Sequence, residues 1–277
     1  MPLSPLPQLT VLIELALAAG REIMAVYATD FTSTVKADCS PVTLADEAAE
    51  RVILAGLALA DPATPAISEE AAAKGNIPET AGRFYLVDPL DGTKEFLNRN
   101  GEFTVNIGLI ERAQPVAGVV FAPATGRMFV GQAGWGAAQA DMEITSQAVA
   151  AIWRPMAVRP APAAGFTVVA SRSHRDAKTD AFIAAVNTAA LRSAGSSLKF
   201  CLIAAGEADL YPRYGRTMEW DTAAGHAVLA AAGGQVITAD GQPLSYGKRG
   251  RGLDNPSFLA LGHPSLPSIN HFAGIAG

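Results

Sequence analysis

The chain has 277 residues, 49% of them apolar and 17% charged, with 21 Lys and Arg against 26 Asp and Glu for a net charge of −5. These numbers suit one large domain or two modest ones with a real core, and they exclude a general nucleic-acid surface, which needs clustered basic charge. No apolar run is long enough to span a bilayer.

The first element is a helix over residues 8–28, rich in Ala, Leu and Ile. Its stretch VLIELALAAG (11–20) contains Glu14 and has no Lys or Arg before it. It therefore reads as an amphipathic helix and not as a signal peptide. TLADEAAERVILAGLALA (43–60) is a second helix. Thr43 is placed to cap it, with Asp46 and Glu47 in the first turn, where the helix dipole favours acids. Pro62 and Pro65 end that pattern, and ISEE (67–70) falls at the end of a short strand or in a loop.

From Phe84 the period changes. FYLV (84–87), FTVNIGLIE (103–111), PVAGVVFAP (115–123) and RMFVGQ (127–132) are separated by turn residues and predict an antiparallel meander. A Pro- and Ala-rich stretch at 154–165 marks a crossing between halves. The second half alternates: strand 166–171, helix 174–188, helix 196–205 opened by Gly195-Ser196-Ser197, strand 208–211, helix 221–232 ended by Gly233-Gly234, and strands 235–238 and 257–262. That alternation argues for an α/β half. The expected division is an α+β domain over 1–155 and an α/β domain over 156–277. Cys39 and Cys201 are too few and too far apart for a disulfide framework, so both read as thiols in a cytoplasm-like compartment.

The chemistry concentrates in LVDPLDGTKEF (86–96). Asp88 and Asp91 stand three positions apart at the end of an apolar strand. Two unit charges at ~4 Å repel by about 1 kcal/mol in water and about 4 kcal/mol at a surface-like dielectric. A solvated Asx-type turn explains the pair alone as well as a site does. Glu69 and Glu70 after a small-residue loop, Asp221 after Trp220, and Asp46 at another helix start change the balance. Several carboxylates beside strand ends, with the Leu90 carbonyl, suit Mg²⁺. Pro89 fixes the backbone there, and Gly92 lets an oxyanion approach the chain. Carboxylates gathered on Mg²⁺ point to phosphate chemistry. Neither a Walker A sequence nor a Rossmann glycine fingerprint is present.

ISEE, LVDPLDGT and EWDTAAG, in that order, resemble the three metal-site motifs of the inositol monophosphatase superfamily, whose members are Mg²⁺-dependent, lithium-sensitive phosphatases. The resemblance runs from about Lys36 to about Asn255. SPVTLAD (40–46), DGTKEFLNRNGEFTVNIGLI (91–110), VVASRSH (168–174), GSSLKFCLIAAGEADLYPR (195–213) and TMEWDTAAGHAVL (217–229) look closest to its bacterial 3'(2'),5'-bisphosphate nucleotidases of the CysQ type.

The resemblance implies a layered αβαβα sandwich and a set of roles. Glu69, Asp88 and the Leu90 carbonyl would hold one Mg²⁺. Asp88, Asp91 and Asp221 would hold a second, and Glu69 would help with a loosely bound third. Thr93, polarised by Asp46, would orient the attacking water, and the amides of Gly92 and Thr93 would cradle the scissile phosphate. The implied reaction is adenosine 3',5'-bisphosphate, or its sulfated form, plus water giving AMP, or its sulfated form, and phosphate, linked to sulfur assimilation. Such an enzyme is a monomer or homodimer, cytoplasmic or peripheral at the inner membrane. Cys39 departs from the pattern, because a glycine is expected in that loop beside Lys36 and Asp38.

For the nucleotide, Ser196, Ser197, Lys199 and Arg213 are candidate anion or ribose contacts. Capping by the serines and solvation of the cations are the competing explanations. His174 reads as a surface or capping residue more readily than as a base contact, and His226, Trp135 and Trp153 read as structural. An inositol or sugar phosphatase would carry the same metal site, and a non-catalytic sensor of phosphoadenosine nucleotides would not need Thr93 and Asp46.

Overall fold

The computed structural model describes residues 5–29, 41–145, 151–173, 175–263 and 272–275. Lys36, Asp38, Cys39 and His174 lie outside the described residues.

Two long helices open the chain, α1 (Pro7–Tyr27) and α2 (Pro41–Ala60). A seven-stranded sheet follows in simple chain order: β1 (Ala66–Ser68), β2 (Arg83–Asp91), β3 (Thr104–Glu111), β4 (Gln114–Ala122), β5 (Arg127–Gln132), β6 (Gly136–Asp141) and β7 (Arg154–Met156). β1 runs parallel to β2, and every later neighbour is antiparallel. Short helices α3 (Glu69–Ala73) and α4 (Thr93–Leu97) interrupt it after β1 and β2. The second sheet has the order β11-β12-β10-β8-β9, from β8 (Phe166–Ser171), β9 (Thr188–Ala194), β10 (Leu210–Arg213), β11 (Gln235–Thr238) and β12 (Phe258–Leu261). Between these strands run α5 (Ala177–Ala185), α6 (Leu198–Ala204) and α7 (Trp220–Ala231).

The layers follow from which faces are apolar. Along β2 to β5 alternate residues point to opposite sides. Tyr85, Val87, Val105, Ile107, Val119, Phe121, Met128 and Val130 pack with α1 and α2. Phe84, Leu86, Ile110, Val120 and Phe129 pack with α6 and α7. The second sheet covers those two helices, and α5 closes its outer face through Phe182. The result is the αβαβα sandwich.

Several boundaries differ from expectation. α2 begins at Pro41, so Thr43 lies within the helix and does not cap it, and Asp46 falls beyond the first turn. Residues 188–194, which the expected helices over 174–188 and 196–205 left unassigned beyond 188, form β9. Most of β9 is exposed at a sheet edge and rich in alanine, so no period-2 pattern advertises it. α5 is shorter than expected and is capped by Asp176, whose Oδ1 accepts from the Thr179 amide at 2.8 Å. β6 and β7 extend the meander beyond the four strands expected, β7 lying in the crossing segment.

Candidate metal centre and active site

The two aspartates of LVDPLDGT would face opposite sides of a regular strand, because residues three apart have opposite parity. The pairing of β2 with β3 shows how this is avoided. Asp88 sits opposite Asn106, and Asp91 opposite Thr104, so Pro89 and Leu90 together face the single residue Val105. This bulge flips the parity. Pro89 is tolerated there because a bulged residue makes no regular ladder bond. Asp88 Oδ1 accepts from the Leu90 amide at 3.1 Å, which holds the bulge in place. The chain then turns through Gly92 at φ 100 into α4. A Cβ on Gly92 would stand 2.7 Å from Ser196 Oγ and 3.2 Å from Phe103 Cα, so both conformation and space require glycine.

Glu69 arrives from the neighbouring strand. β1 runs parallel to β2 with Ser68 beside Val87, and α3 starts directly at Glu69. Asp221 comes from the other half, in the first turn of α7. Gly108, Gly118 and Gly131 are cross-strand neighbours on β3, β4 and β5. A Cβ on them would come within 2.9, 2.5 and 2.7 Å of the α7 residues Ala223, Ala224 and Val228 respectively. The helix thus lies in a glycine trough across the first sheet. Its entry is pinned as well. Asp221 Oδ2 accepts from the Met218 amide at 2.8 Å. The fully buried carboxylate of Glu219 takes the amides of Gly247 and Lys248 and the Lys248 ammonium. Asn255 donates to the Met218 carbonyl and Thr222 Oγ1.

These elements bring one carboxylate oxygen each from Glu69, Asp88 and Asp221 within 4.8 Å of one another. Burial and mutual repulsion outweigh the nearby cations for these acids. Burial, then Asp91 and Glu70, push Glu69 up to about 7. Burial and Asp91 push Asp221 to about 8. Asp88 is raised well above the carboxylate range by burial, Glu69 and Asp91. Asp91 is raised by burial, against the pull of Lys199. An all-oxygen, anionic cluster of this kind fits a hard divalent cation such as Mg²⁺. Asp46 lies buried on α2, its Oδ1 without a hydrogen-bond partner, and burial followed by Glu70 and Glu69 raises it to about 8.

A cleft of about 390 Å³ opens over this cluster. Of the residues singled out above, it gathers Glu69, Asp88, Leu90, Asp91, Gly92, Thr93, Ser196, Lys199, Arg213 and Asp221. Asp46 and Ser197 are not on its wall. The hydroxyl of Ser197 is buried and donates to the Asp221 carbonyl at 2.7 Å, and Ser196 Oγ donates to the carbonyls of Asp91 and Glu102. Neither serine side chain caps α6: Ser196 ties the two halves together, while Ser197 ties α6 to the start of α7 within the second half. Lys199 is buried opposite the acids. Its Nζ donates to the Ser196 carbonyl at 2.5 Å and stands 5.3 Å from the Tyr211 ring centroid. Burial, with Arg213 adding to it, lowers Lys199 to about 8. Arg213 donates to the carbonyls of Gly215 and Arg216.

Glu95, Ser171, Tyr211, Arg216 and Thr217 also line the cleft and were not anticipated. Only Glu95 carried a signal, as a charged residue inside the KEF stretch. His226 is structural: it is buried against Tyr246 OH at 3.0 Å, and burial holds it neutral, down to about 3. Trp135 and Trp153 pack with the first core. Among the described residues no helix is long and apolar enough to cross a membrane.

A layered αβαβα fold with a carboxylate cluster at the end of a bulged strand defines a metal-dependent phosphatase architecture. The chain belongs to the inositol monophosphatase family, whose model matches residues 6–267. Among curated proteins it is 45% identical over 251 residues to the 3'(2'),5'-bisphosphate nucleotidase CysQ of Escherichia coli K12, covering 88% of this chain and 96% of that protein. The nucleotidase CysQ of Salmonella typhimurium is 45% identical over 249 residues, with the same coverage. The crystal structure of CysQ from Bacteroides thetaiotaomicron is 39% identical, with a TM-score of 0.79 over 91% of this chain and 95% of that one. An inositol monophosphatase from Zymomonas mobilis, 22% identical with a TM-score of 0.76, shares the fold.

Proposed function

We propose that the protein is a Mg²⁺-dependent 3'(2'),5'-bisphosphate nucleotidase. It hydrolyses the 3'-phosphate of adenosine 3',5'-bisphosphate, or of the sulfated form, to give AMP, or its sulfated counterpart, and phosphate. One observation carries this reading. The cleft is lined both by the acids Glu69, Asp88, Asp91 and Asp221 and by the cations Lys199, which is buried, and Arg213, which is half-buried. A cleft of both signs fits a ligand with one phosphate bound through cations and a second anionic group held directly. The high identity to CysQ nucleotidases supports the same substrate.

Glu69, Asp88, Asp91, Asp221 and the Leu90 carbonyl would hold two Mg²⁺, and Glu69 would help with a third. When bound, the ions neutralise the carboxylates, polarise the phosphate and make water acidic enough to attack. The chain's own residues do the rest. The amides of Gly92 and Thr93 orient the scissile phosphate. Thr93 holds the attacking water, and Asp46 on α2, buried with its Oδ1 free of hydrogen-bond partners, is the carboxylate that polarises it. Water adds in line to phosphorus and the bond to the ribose 3'-oxygen breaks. Lys199 and Arg213 hold the 5'-phosphate. Cys201 is a buried thiol, which suits the cytoplasm.

Phosphate release with Mg²⁺ is to be compared for adenosine 3',5'-bisphosphate, inositol 1-phosphate and fructose 1,6-bisphosphate, with and without lithium. The bisphosphate nucleotide should be the fastest, and lithium should inhibit it. Faster turnover of either non-nucleotide would overturn the assignment.

A further inference from the structure

The mechanism above leaves one buried carboxylate of the cleft unused. Glu95 is 4% exposed and lies on α4, one helical turn after the metal-site loop. Its Oε1 accepts from Ser173 Oγ at 2.5 Å. Its Oε2 lies beside Gly92, where a Cβ would stand 3.3 Å away. Among the described residues Glu95 forms no ion pair. The nearby Arg172 is spent on Glu102 through two bonds of 3.0 and 2.8 Å, and the Lys199 ammonium is turned to main-chain carbonyls. Burying a carboxylate is costly unless donors satisfy it. Ser173 satisfies one oxygen and fixes the side chain across the two halves.

The second oxygen lies beside Gly92, and Glu95 is on the cleft wall, next to the loop amides assigned above to the reacting phosphate. A carboxylate there repels phosphate oxygens and attracts a donor. In a ribose 3'-phosphate the donor at that place is the hydroxyl on the neighbouring carbon. We propose that Glu95 is a specificity-determining residue whose Oε2 accepts a hydrogen bond from the hydroxyl vicinal to the scissile phosphate ester. The inference rests on the nucleotidase reading. It makes the site select ribonucleotides over 2'-deoxyribonucleotides. The same acceptor serves when phosphate and hydroxyl exchange places between the 2' and 3' carbons, because the donor stays vicinal.

The test measures kcat/KM with saturating Mg²⁺ for adenosine 3',5'-bisphosphate and its 2'-deoxy analogue. The wild type, Glu95→Met, Glu95→Gln and Ser173→Ala are compared, with thermal unfolding as a check on folding. A hydrogen bond to a charged acceptor corresponds to a preference of about tenfold to a hundredfold. The wild type should show a ribo-to-deoxyribo ratio of that size. Glu95→Met should bring the ratio close to one, while Glu95→Gln and Ser173→Ala should leave it intermediate. If Glu95→Met does not fold, the fall in the ratio with Glu95→Gln decides. A wild type that does not distinguish the sugars, or variants that slow both substrates equally, would overturn the role of Glu95 while leaving the nucleotidase reading intact. Failure of the wild type to turn over either nucleotide would overturn both.

Discussion

The two walls of the cleft are strained in opposite senses. On the acidic wall Glu69 and Asp221 are pushed up to about 7 and about 8 by burial and by the charge of Asp91. On the basic wall Lys199 is pulled down to about 8 by burial, with Arg213 adding to it. The walls are also held differently. The acids are placed by backbone: a bulge in β2, a left-handed glycine, a helix start beside a parallel strand, and a helix seated in glycines. The cations are placed by side-chain bonds to carbonyls of Ser196, Gly215 and Arg216. A site whose charges are this costly alone is built for ligands that bring the missing charge: cations for one wall and an anion for the other. The rigid wall is the one that must hold several groups on one centre, where small displacements matter most.

The largest effect should come from the rigid wall. Asp91→Asn should lower turnover of adenosine 3',5'-bisphosphate by roughly a thousandfold or more, since it removes an anionic donor from metal-assisted charge stabilisation. Circular dichroism and thermal unfolding without metal should show an intact fold. Initial rates within tenfold of the wild type would break the picture. Next comes the trough. In Gly118→Ala the new Cβ would stand 2.5 Å from the Ala224 carbonyl oxygen. Overpacking of this kind costs about 1–3 kcal/mol. The melting temperature should fall by several degrees, and Mg²⁺ affinity should fall with it because α7 carries Asp221. Gly250→Ala, with open space around the Cβ, should do neither. An unchanged Mg²⁺ affinity in a destabilised Gly118→Ala would separate helix seating from the metal centre.

The basic wall should respond more gently and only for the right substrate. Lys199→Met keeps the stem and loses the charge. It should raise KM for adenosine 3',5'-bisphosphate about tenfold to a hundredfold with kcat within a few-fold, because a buried charged contact to the non-reacting phosphate is lost. A substrate with the same scissile phosphate and no 5'-phosphate should be affected much less. An equal loss on both would move Lys199 from substrate binding to the acidic wall, as a partner of Asp91.

How much of this was legible in the sequence follows the same division. The strands β2 to β5 could be read because their apolar runs are bounded by turn residues, α1 because it is rich in Ala, Leu and Ile, and α7 because Gly233-Gly234 end it. The acids could be read because tight turns rich in Pro and Gly surround them. The trough could not be read, although Gly108, Gly118 and Gly131 are plain in the sequence, because only the pairing register shows that they are neighbours. Ser196 and Ser197 looked like caps or ligands, but the packing of separate elements, the first sheet for Ser196 and α7 for Ser197, decides which carbonyls their hydroxyls meet. β9 was missed because an exposed, alanine-rich edge has no face to advertise. Contacts within one element leave a period or a spacing behind, whereas contacts between elements do not.

The smallest effect, and the most direct reading of the acidic wall, is the pH dependence of stability. Glu69 at about 7, and Asp221 and Asp46 at about 8, all lie above the ordinary carboxylate values of 4.5 and 3.8. Their raised folded-state values mean that the folded protein binds protons more tightly than the unfolded chain. The stability they contribute is fully present below about pH 4 and is lost as the pH rises through 7 and 8. The metal-free protein should therefore melt at a lower temperature at pH 8.5 than at pH 6. Mg²⁺ needs the ionised carboxylates, so its binding releases protons and strengthens across the same window. At a hundredfold excess over Kd, binding adds about 2.7 kcal/mol, so Mg²⁺ should raise the melting temperature by several degrees at pH 8.5 and by less at pH 6. Asp91→Asn removes one source of the repulsion on Glu69 and Asp221, and should flatten the metal-free slope. A melting temperature that ignores pH in this window, with an equal Mg²⁺ effect at both ends, would mean that the acids do not repel one another and that the two walls are not complementary.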